Sequence, residues 1–293
     1  MKKLKRIVET LTRYLRLTFG QRCVSIRFAG HLLTLDTRWK HERDYLNYIK
    51  RSKITGPLGM DVWVFSHFVK LGHIVLDAGA NIGFTALLAE KAGAKEIHCF
   101  EPDPRLTDRL KIHCQGDKIV VHSKALGEKA DSMKLRLSSK HNQGSTLNDS
   151  MINKFPSVFR GSEFVQVDVG TVDEIFGNKH FDFFKIDVEG AEIATLKGAS
   201  SLIYSSPPNS IFIEAYDEFI DEVHEFLKDY YSFSYRVICD RSGNCRLFPS
   251  DINTSQMKTE GMYVMPPSYI YSASSQEELT KRWTRPACAG ESA

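Results

Sequence analysis

Ile74-Val75-Leu76-Asp77-Ala78-Gly79-Ala80-Asn81-Ile82-Gly83-Phe84-Thr85 decides the fold of this chain. An apolar run ends in an aspartate, passes two glycines four apart, and enters a segment whose apolar residues Phe84, Leu87 and Leu88 fall at helical spacing. That is the pattern of strand, tight loop and helix. Glycine suits such a loop because the backbone must turn sharply and approach a ligand closely, while the helix beyond offers free N–H groups and the positive end of its dipole. Lys91 and Gly93 supply the helix's stop signals. The segment therefore reads as a nucleotide-cofactor loop, with Gly79, Asn81 and Gly83 as its binding residues.

The next carboxylate sharpens this. A second short strand, Ile97-His98-Cys99-Phe100, ends at Glu101, and an acid at a strand tip can accept hydrogen bonds from both ribose hydroxyls of a nucleoside. A dinucleotide fingerprint needs a glycine in the middle of the loop to make room for a pyrophosphate, where this chain has Gly79-Ala80-Asn81-Ile82-Gly83 preceded by Asp77. A carboxylate beside the loop would repel a pyrophosphate but suits a sulfonium or ammonium, as in S-adenosylmethionine (SAM).

Three segments, Val75 to Gly83, Phe100-Glu101-Pro102 and Lys185-Ile186-Asp187-Val188-Glu189-Gly190-Ala191-Glu192, resemble the signature blocks of the FkbM family of SAM-dependent methyltransferases. The likeness covers roughly Asp61 to Pro266, and the third block is the distinctive one. It implies an α/β, Rossmann-like fold and methylation of a hydroxyl on a sugar, glycan or secondary metabolite. In SAM enzymes of this architecture the adenine lies near the loop after the third strand, which implies that Ala125 and Leu126 line its pocket. Two alternatives are carried: a nicotinamide-dependent oxidoreductase, and a non-catalytic methyltransferase-like binding protein.

The acceptor end is expected at the exit of the fourth strand, Phe181 to Ile186. Asp187 should face cofactor and acceptor, with Lys185 and Glu189 in support; these three are the catalytic candidates, and His141 is an outside one. An alcohol attacks a methyl donor only if a base or cation beside it takes up its proton. The structural alternatives differ by residue. Asp187 could cap the next helix, Glu192 could complement its dipole, and Lys185 in an apolar strand could pair with a neighbouring acid. Asp187, Glu189 and Glu214 could hold Mg²⁺, but no metal is expected.

At 293 residues, 42% hydrophobic and a net charge of +3, the chain can bury one full α/β core. Its excess positive charge is local: residues 1–20 carry six Lys or Arg against one Glu, so nucleic acid is not an expected partner. Leu4, Ile7, Val8, Leu11 and Leu15 recur at helical spacing among those charges. They predict a basic amphipathic helix packed on its own domain or on a dimer partner, or alternatively lying on an anionic membrane surface through residues 1–18. Residues 21–60 read as a hairpin and helix capping the domain, residues 61–267 as the SAM-binding domain, and 268–293 as a polar tail.

The sheet is expected to have seven mostly parallel strands with helices on both faces, the last strand being Met262-Tyr263-Val264-Met265. A long polar loop between strands near Leu135 and Val165 is read either as a lid or as a solvated connection. The six cysteines include no C-x-x-C pair. Cys239 and Cys245 could face one another across a hairpin but are expected to be reduced, because no export signal or bilayer-spanning run is evident and the expected location is cytoplasmic. Neither acceptor identity nor oligomeric state can be read from these residues.

Overall fold

Val75, Leu76, Asp77 and Ala78 are all wholly buried, which marks the decisive stretch as a central strand covered on both faces. The computed structural model describes residues 22–284 except 53, 55, 56, 139–141, 241, 256, 258–260, 263, 265 and 266. The basic helix expected over residues 1–20, and His141, lie outside the described residues.

The cap comprises β1 (Cys23–Phe28), β2 (His31–Asp36), α1 (Lys40–Arg51) and α2 (Pro57–Phe68). Ala29 and Gly30 both take positive φ, +49° and +86°, as a two-residue hairpin turn demands. Then follow β3 (Ile74–Ala78), α3 (Phe84–Lys91), β4 (Glu96–Phe100), α4 (Pro104–His113) and β5 (Ile119–His122). Asp103 caps α4, accepting from Arg105 N with Pro104 at the first helical position, as its sequence predicts. Next come β6 (Ala125–Leu126), β7 (Asp131–Arg136), α5 (Asp149–Lys154), α6 (Pro156–Phe159), β8 (Phe164–Gly170) and α7 (Val172–Phe176). The remainder is β9 (Phe183–Ile186), α8 (Glu192–Lys197), α9 (Ser200–Ser205), β10 (Ser210–Glu214), α10 (Asp217–Leu227), β11 (Phe233–Cys239), β12 (Cys245–Pro249), β13 (Ser268–Ser272) and α11 (Gln276–Thr284).

The main sheet has eight strands in the order β12-β11-β13-β10-β9-β3-β4-β5. β10, β9, β3, β4 and β5 are parallel neighbours, while β13 runs antiparallel between β10 and β11. From β3 the chain steps outward to β4 and β5, then returns to pair β9 on the other side of β3. This reversal puts the topological switch point between β3 and β9, where open α/β sheets bind ligands outside their carboxyl ends. The fold is Rossmann-like, with apolar cores on both faces of the sheet.

Three expectations need correction. The sheet has eight strands, not seven, because β12 pairs with β11. The last strand is Ser268–Ser272, which had been read as tail: all five residues are buried, and Ser210 Oγ lies 3.4 Å from Ser272 Oγ. Met262 and Val264 belong to no strand. Finally, Cys239 and Cys245 form a disulfide, since the β11–β12 register sets them directly opposite. The expected reduced pair is thereby overturned, and with it one support for a reducing compartment.

β7 and β8 do bracket a long loop, but with β6 they form a separate three-stranded sheet. The cap packs on the α3 face, where Tyr45 stacks on Phe84 with centroids 4.0 Å apart, and Phe28 stacks on Phe84 at 5.3 Å. Among the described residues no helix is long and apolar enough to cross a membrane.

Candidate active site

At the switch point the β3–α3 loop, the tip of β4 and the exits of β9 and β10 surround a cavity of about 490 Å³, a size typical of small-molecule sites. Of the expected cofactor residues, Gly79, Asn81, Glu101, Ala125 and Leu126 line it, as do Lys185, Asp187 and Glu189. Asp77 and Gly83 do not.

Gly79 takes φ +78°, and a Cβ there would collide with the Asp187 carbonyl. The residue must be glycine for β3 and β9 to close at this point. Gly83 serves the packing of α3 instead: it has φ +94°, and a Cβ would meet Leu110 Cδ1 at 2.7 Å and the Cys114 thiol. The Asp77 carboxylate, expected beside a sulfonium, turns beneath the loop. It is fully buried, accepts from Thr85 Oγ1 at 2.6 Å, and pairs with Lys185 Nζ at 3.4 Å.

Lys185 is only 2% exposed. Its Nζ donates to Gly79 O at 2.7 Å and Ala78 O at 3.3 Å, and pairs with Asp187 at 3.3 Å. Burial opposes its charge, but Asp187, Asp77 and Asp61 outweigh that and hold its pKa above that of an ordinary lysine. A lysine so occupied is a brace between the glycine loop and β9. It supplies the donor for the Gly79 carbonyl and reinforces the Ala78 carbonyl, which also accepts from Asp187 N at 3.2 Å.

Glu101 sits at the β4 tip with one backbone donor on each oxygen, Asn81 N at 2.9 Å and Asp103 N at 2.9 Å. Burial pushes its carboxyl up to about 7, against the pull of those N–H groups. Its remaining lone pairs are placed to receive hydroxyls.

The acidic half lies at the β9 and β10 exits. Asp187 does not cap α8, because Ala191 occupies the cap position. Glu192 is buried, with Oε1 accepting from Gly190 N at 3.0 Å and Val188 N at 3.3 Å, and so staples the turn. Within that turn Glu189 holds φ +52°, a strained conformation for a residue with a long side chain. The polar loop supports it: Thr146 Oγ1 donates to Glu189 O at 2.6 Å, and Asn148 Nδ2 to Gly190 O at 2.8 Å.

Asp61 and Tyr45 of the cap and Tyr216 after β10, which the sequence did not single out, complete the wall together with Asn142, Gln143, Ser145 and Phe155 of the polar β7–β8 connection, which the sequence offers as either a lid or a solvated loop. Asp61 arrives through helix register. Phe65 packs edge-on against Phe183, the first residue of β9, at 5.6 Å. One turn back on the same face, ~6 Å along the helix, lies Asp61; two residues along β9, ~6.6 Å, lies Lys185. Burial pushes Asp61 up to about 7, with Lys185 opposing and Asp187 and Asp77 adding to the rise. Burial, followed by the Asp187 charge, likewise drives Glu189 and Glu214 well above the usual carboxylate range. An acid one helical turn from a buried aromatic was the signal available for Asp61. Among the described residues no three His, Cys, Asp or Glu side chains converge to hold a metal ion.

Fold and cleft together define a Rossmann-like protein with a cavity at the switch point that has a buried carboxylate, Glu101, at one end and an acidic pocket at the other. The family model described as the methyltransferase FkbM domain matches residues 77–236, and the chain belongs to that family. A curated relative, Methyltransferase 1 of Beauveria bassiana, is 29% identical over 143 residues, which is 42% of this chain and 57% of that protein. The match thus spans little more than half of the relative's length. Among solved structures, the methyltransferase FkbM of Methylobacillus flagellatus aligns with TM-score 0.39 and 21% identity over 60% of this chain and 44% of that one. A putative methyltransferase of Streptococcus mutans, solved in complex with SAH, aligns with TM-score 0.38 and 12% identity over 74% and 97%.

Proposed function

We propose that this chain is a SAM-dependent O-methyltransferase acting on a hydroxyl of a small-molecule or glycan acceptor. The observation that carries this reading is one cavity at the switch point with a nucleoside-type carboxylate, Glu101, at one end and an acidic pocket around Asp187 at the other. The residues fit SAM. Glu101 would hold the ribose hydroxyls, Ala125 and Leu126 would flank the adenine, and the Gly79 to Asn81 backbone would lie against the methionine portion.

When bound, SAM supplies a methyl group activated by its sulfonium. What the chain itself contributes is orientation, exclusion of water and removal of the acceptor's proton. Asp187 and Asp61 are the proposed proton-handling carboxylates. Asp61, at about 7, matches the pH at which a base works best. Glu189 and Glu214, whose carboxyls burial and the Asp187 charge push well above the usual carboxylate range, would face the acceptor's other oxygens. Lys185 keeps the loop and Asp187 in register instead of touching the acceptor.

The test is incubation with methyl-labelled SAM and a panel of nucleotide sugars, glycans and hydroxylated metabolites. The label is expected in an alkali-stable methyl ether. Label recovered on nitrogen, or on none of the hydroxylated acceptors, would reject the O-methyl assignment.

A further inference from the structure

Asn142 belongs to the polar connection after β7, and the structure ties it to the cap. Its side-chain Nδ2 donates to Glu42 Oε1 at 3.0 Å, and its main-chain oxygen accepts from Asn81 Nδ2 at 2.6 Å. Glu42, in α1, is fully buried. Both its oxygens are gripped by Arg109, at 2.9 and 2.6 Å, and Oε2 also accepts from Asp36 N at 2.6 Å.

A salt-bridged carboxylate offers only acceptors, so the Asn142 amide must turn its NH₂ toward Glu42. That fixes Oδ1 on the opposite side. Asn142 is 8% exposed and is one of the residues lining the cavity, and its buried Oδ1 has no partner among the described residues. An unpaired buried acceptor is destabilising, and a ligand donor would relieve that cost.

The neighbourhood selects that donor. The backbone N–H of Asn81 goes to Glu101 Oε2 and its side-chain amide to Asn142 O, so Glu101 and Asn142 flank the same residue at the nucleoside end. A nucleoside donates through its ribose hydroxyls and its base amine; with the base set against Ala125 and Leu126, the donors beside Glu101 are the hydroxyls.

We infer that Asn142 Oδ1 accepts a hydrogen bond from a ribose hydroxyl of the bound methyl donor, beside Glu101, and that Glu42 is the positioning residue that aims it. The inference rests on the SAM reading and extends it: Glu42 lies outside residues 77–236, so the cap takes part in donor recognition. The β7–β8 connection is then a wall of the donor pocket, pinned from the side opposite the sheet.

Calorimetric titration with SAH, adenosine, 2′-deoxyadenosine and 3′-deoxyadenosine tests this on the full chain, its Asn142→Ala variant and its Glu42→Gln variant. Asn142→Ala also removes the buried bond to Glu42, so a loss common to all ligands reports packing and the ligand-selective part alone reports the sugar contact. The variant should bind SAH and adenosine about five- to tenfold more weakly, the loss of one ordinary hydrogen bond. That selective penalty should vanish for whichever deoxynucleoside lacks the recognised hydroxyl, a coupling that a merely structural effect would not produce. Glu42→Gln, which no longer dictates the amide's orientation, should give the same ligand-selective pattern. Undiminished affinity in Asn142→Ala, or equal losses for all four ligands, would overturn the inference. A parent chain that binds neither SAH nor adenosine would instead sink the donor reading, a failure visible before any variant is made.

Discussion

Replacing Lys185 by methionine separates a brace from a catalytic cation. Lys185 Nζ holds Gly79 O at 2.7 Å and lies 3.4 Å from Asp77 Oδ1 and 3.3 Å from Asp187 Oδ2. Asp77 has no solvent exposure, and without the lysine its carboxylate keeps, among the described residues, the Thr85 hydroxyl at 2.6 Å. Breaking a buried ion pair by removing one partner costs about 3–5 kcal/mol, because the other charge is left uncompensated. At roughly 2–4 °C per kcal/mol for a chain of this size, Lys185→Met should lower Tm by roughly 6–20 °C. The Lys185→Met/Asp77→Asn pair removes both charges and should recover more than half of that loss. Thermal unfolding of the four proteins yields the coupling directly. A single variant as stable as the parent, or a double variant whose losses simply add, would refute the brace and return the ammonium to the acceptor.

Two further outcomes follow from the same geometry. Burial holds Glu101 at about 7, against an ordinary 4.5, so between those values the folded chain keeps a proton that the unfolded chain releases. This group's contribution to stability is therefore full below 4.5 and lost as pH rises through 7. Ribose hydroxyls need the ionised form, so SAH affinity should run the other way, climbing about tenfold per pH unit up to 7 and then levelling. Glu101→Gln should bind SAH more weakly and without that slope in calorimetric titrations at pH 5.5 to 8; an unchanged slope would assign the proton elsewhere. Gly79→Ala meets φ +78° and the Asp187 carbonyl. It should lose about 2–5 kcal/mol, from ~1–2 for the left-handed backbone and ~1–3 for overpacking, together with ligand binding. An alanine variant with parental Tm would contradict the close approach of the two strands.

The strand-loop-helix unit at β3 was legible because its signals are local: an apolar run, a glycine that must take positive φ, and helical spacing beyond. Asp103-Pro104 was legible for the same reason. β13 was not, because Ser268, Tyr269, Ile270, Tyr271 and Ser272 look polar until the antiparallel register with β10 buries them. Tyr271 OH bonds His224 Nδ1 at 2.6 Å, and the serine pairs with Ser210. Pattern reading prices a hydroxyl as if it faced water; here its partners come from strands and helices far along the chain.

The site divides the same way. Asp187, Glu189 and Glu101 stand at strand exits and could be placed from sequence alone. Asp77 and Lys185 were recognised as charges in apolar strands, but only the register Asp77↔Lys185 between β3 and β9 reveals that they answer each other. Asp61 and Tyr45 reach the cavity, and Glu42 reaches Asn142 behind it, only through tertiary packing, across 67 residues in the case of Glu42 and Arg109; the loop holding Asn142 was visible as a polar connection, but not the cap contact that fixes it.

Calorimetric titration of the full chain with SAH and, separately, with NAD bears most directly on the assignment of the cleft. SAH is expected to saturate a single site whose affinity falls in Glu101→Gln, with NAD giving no heat of binding. Saturable NAD binding with no response to SAH would contradict a methyl-donor cleft.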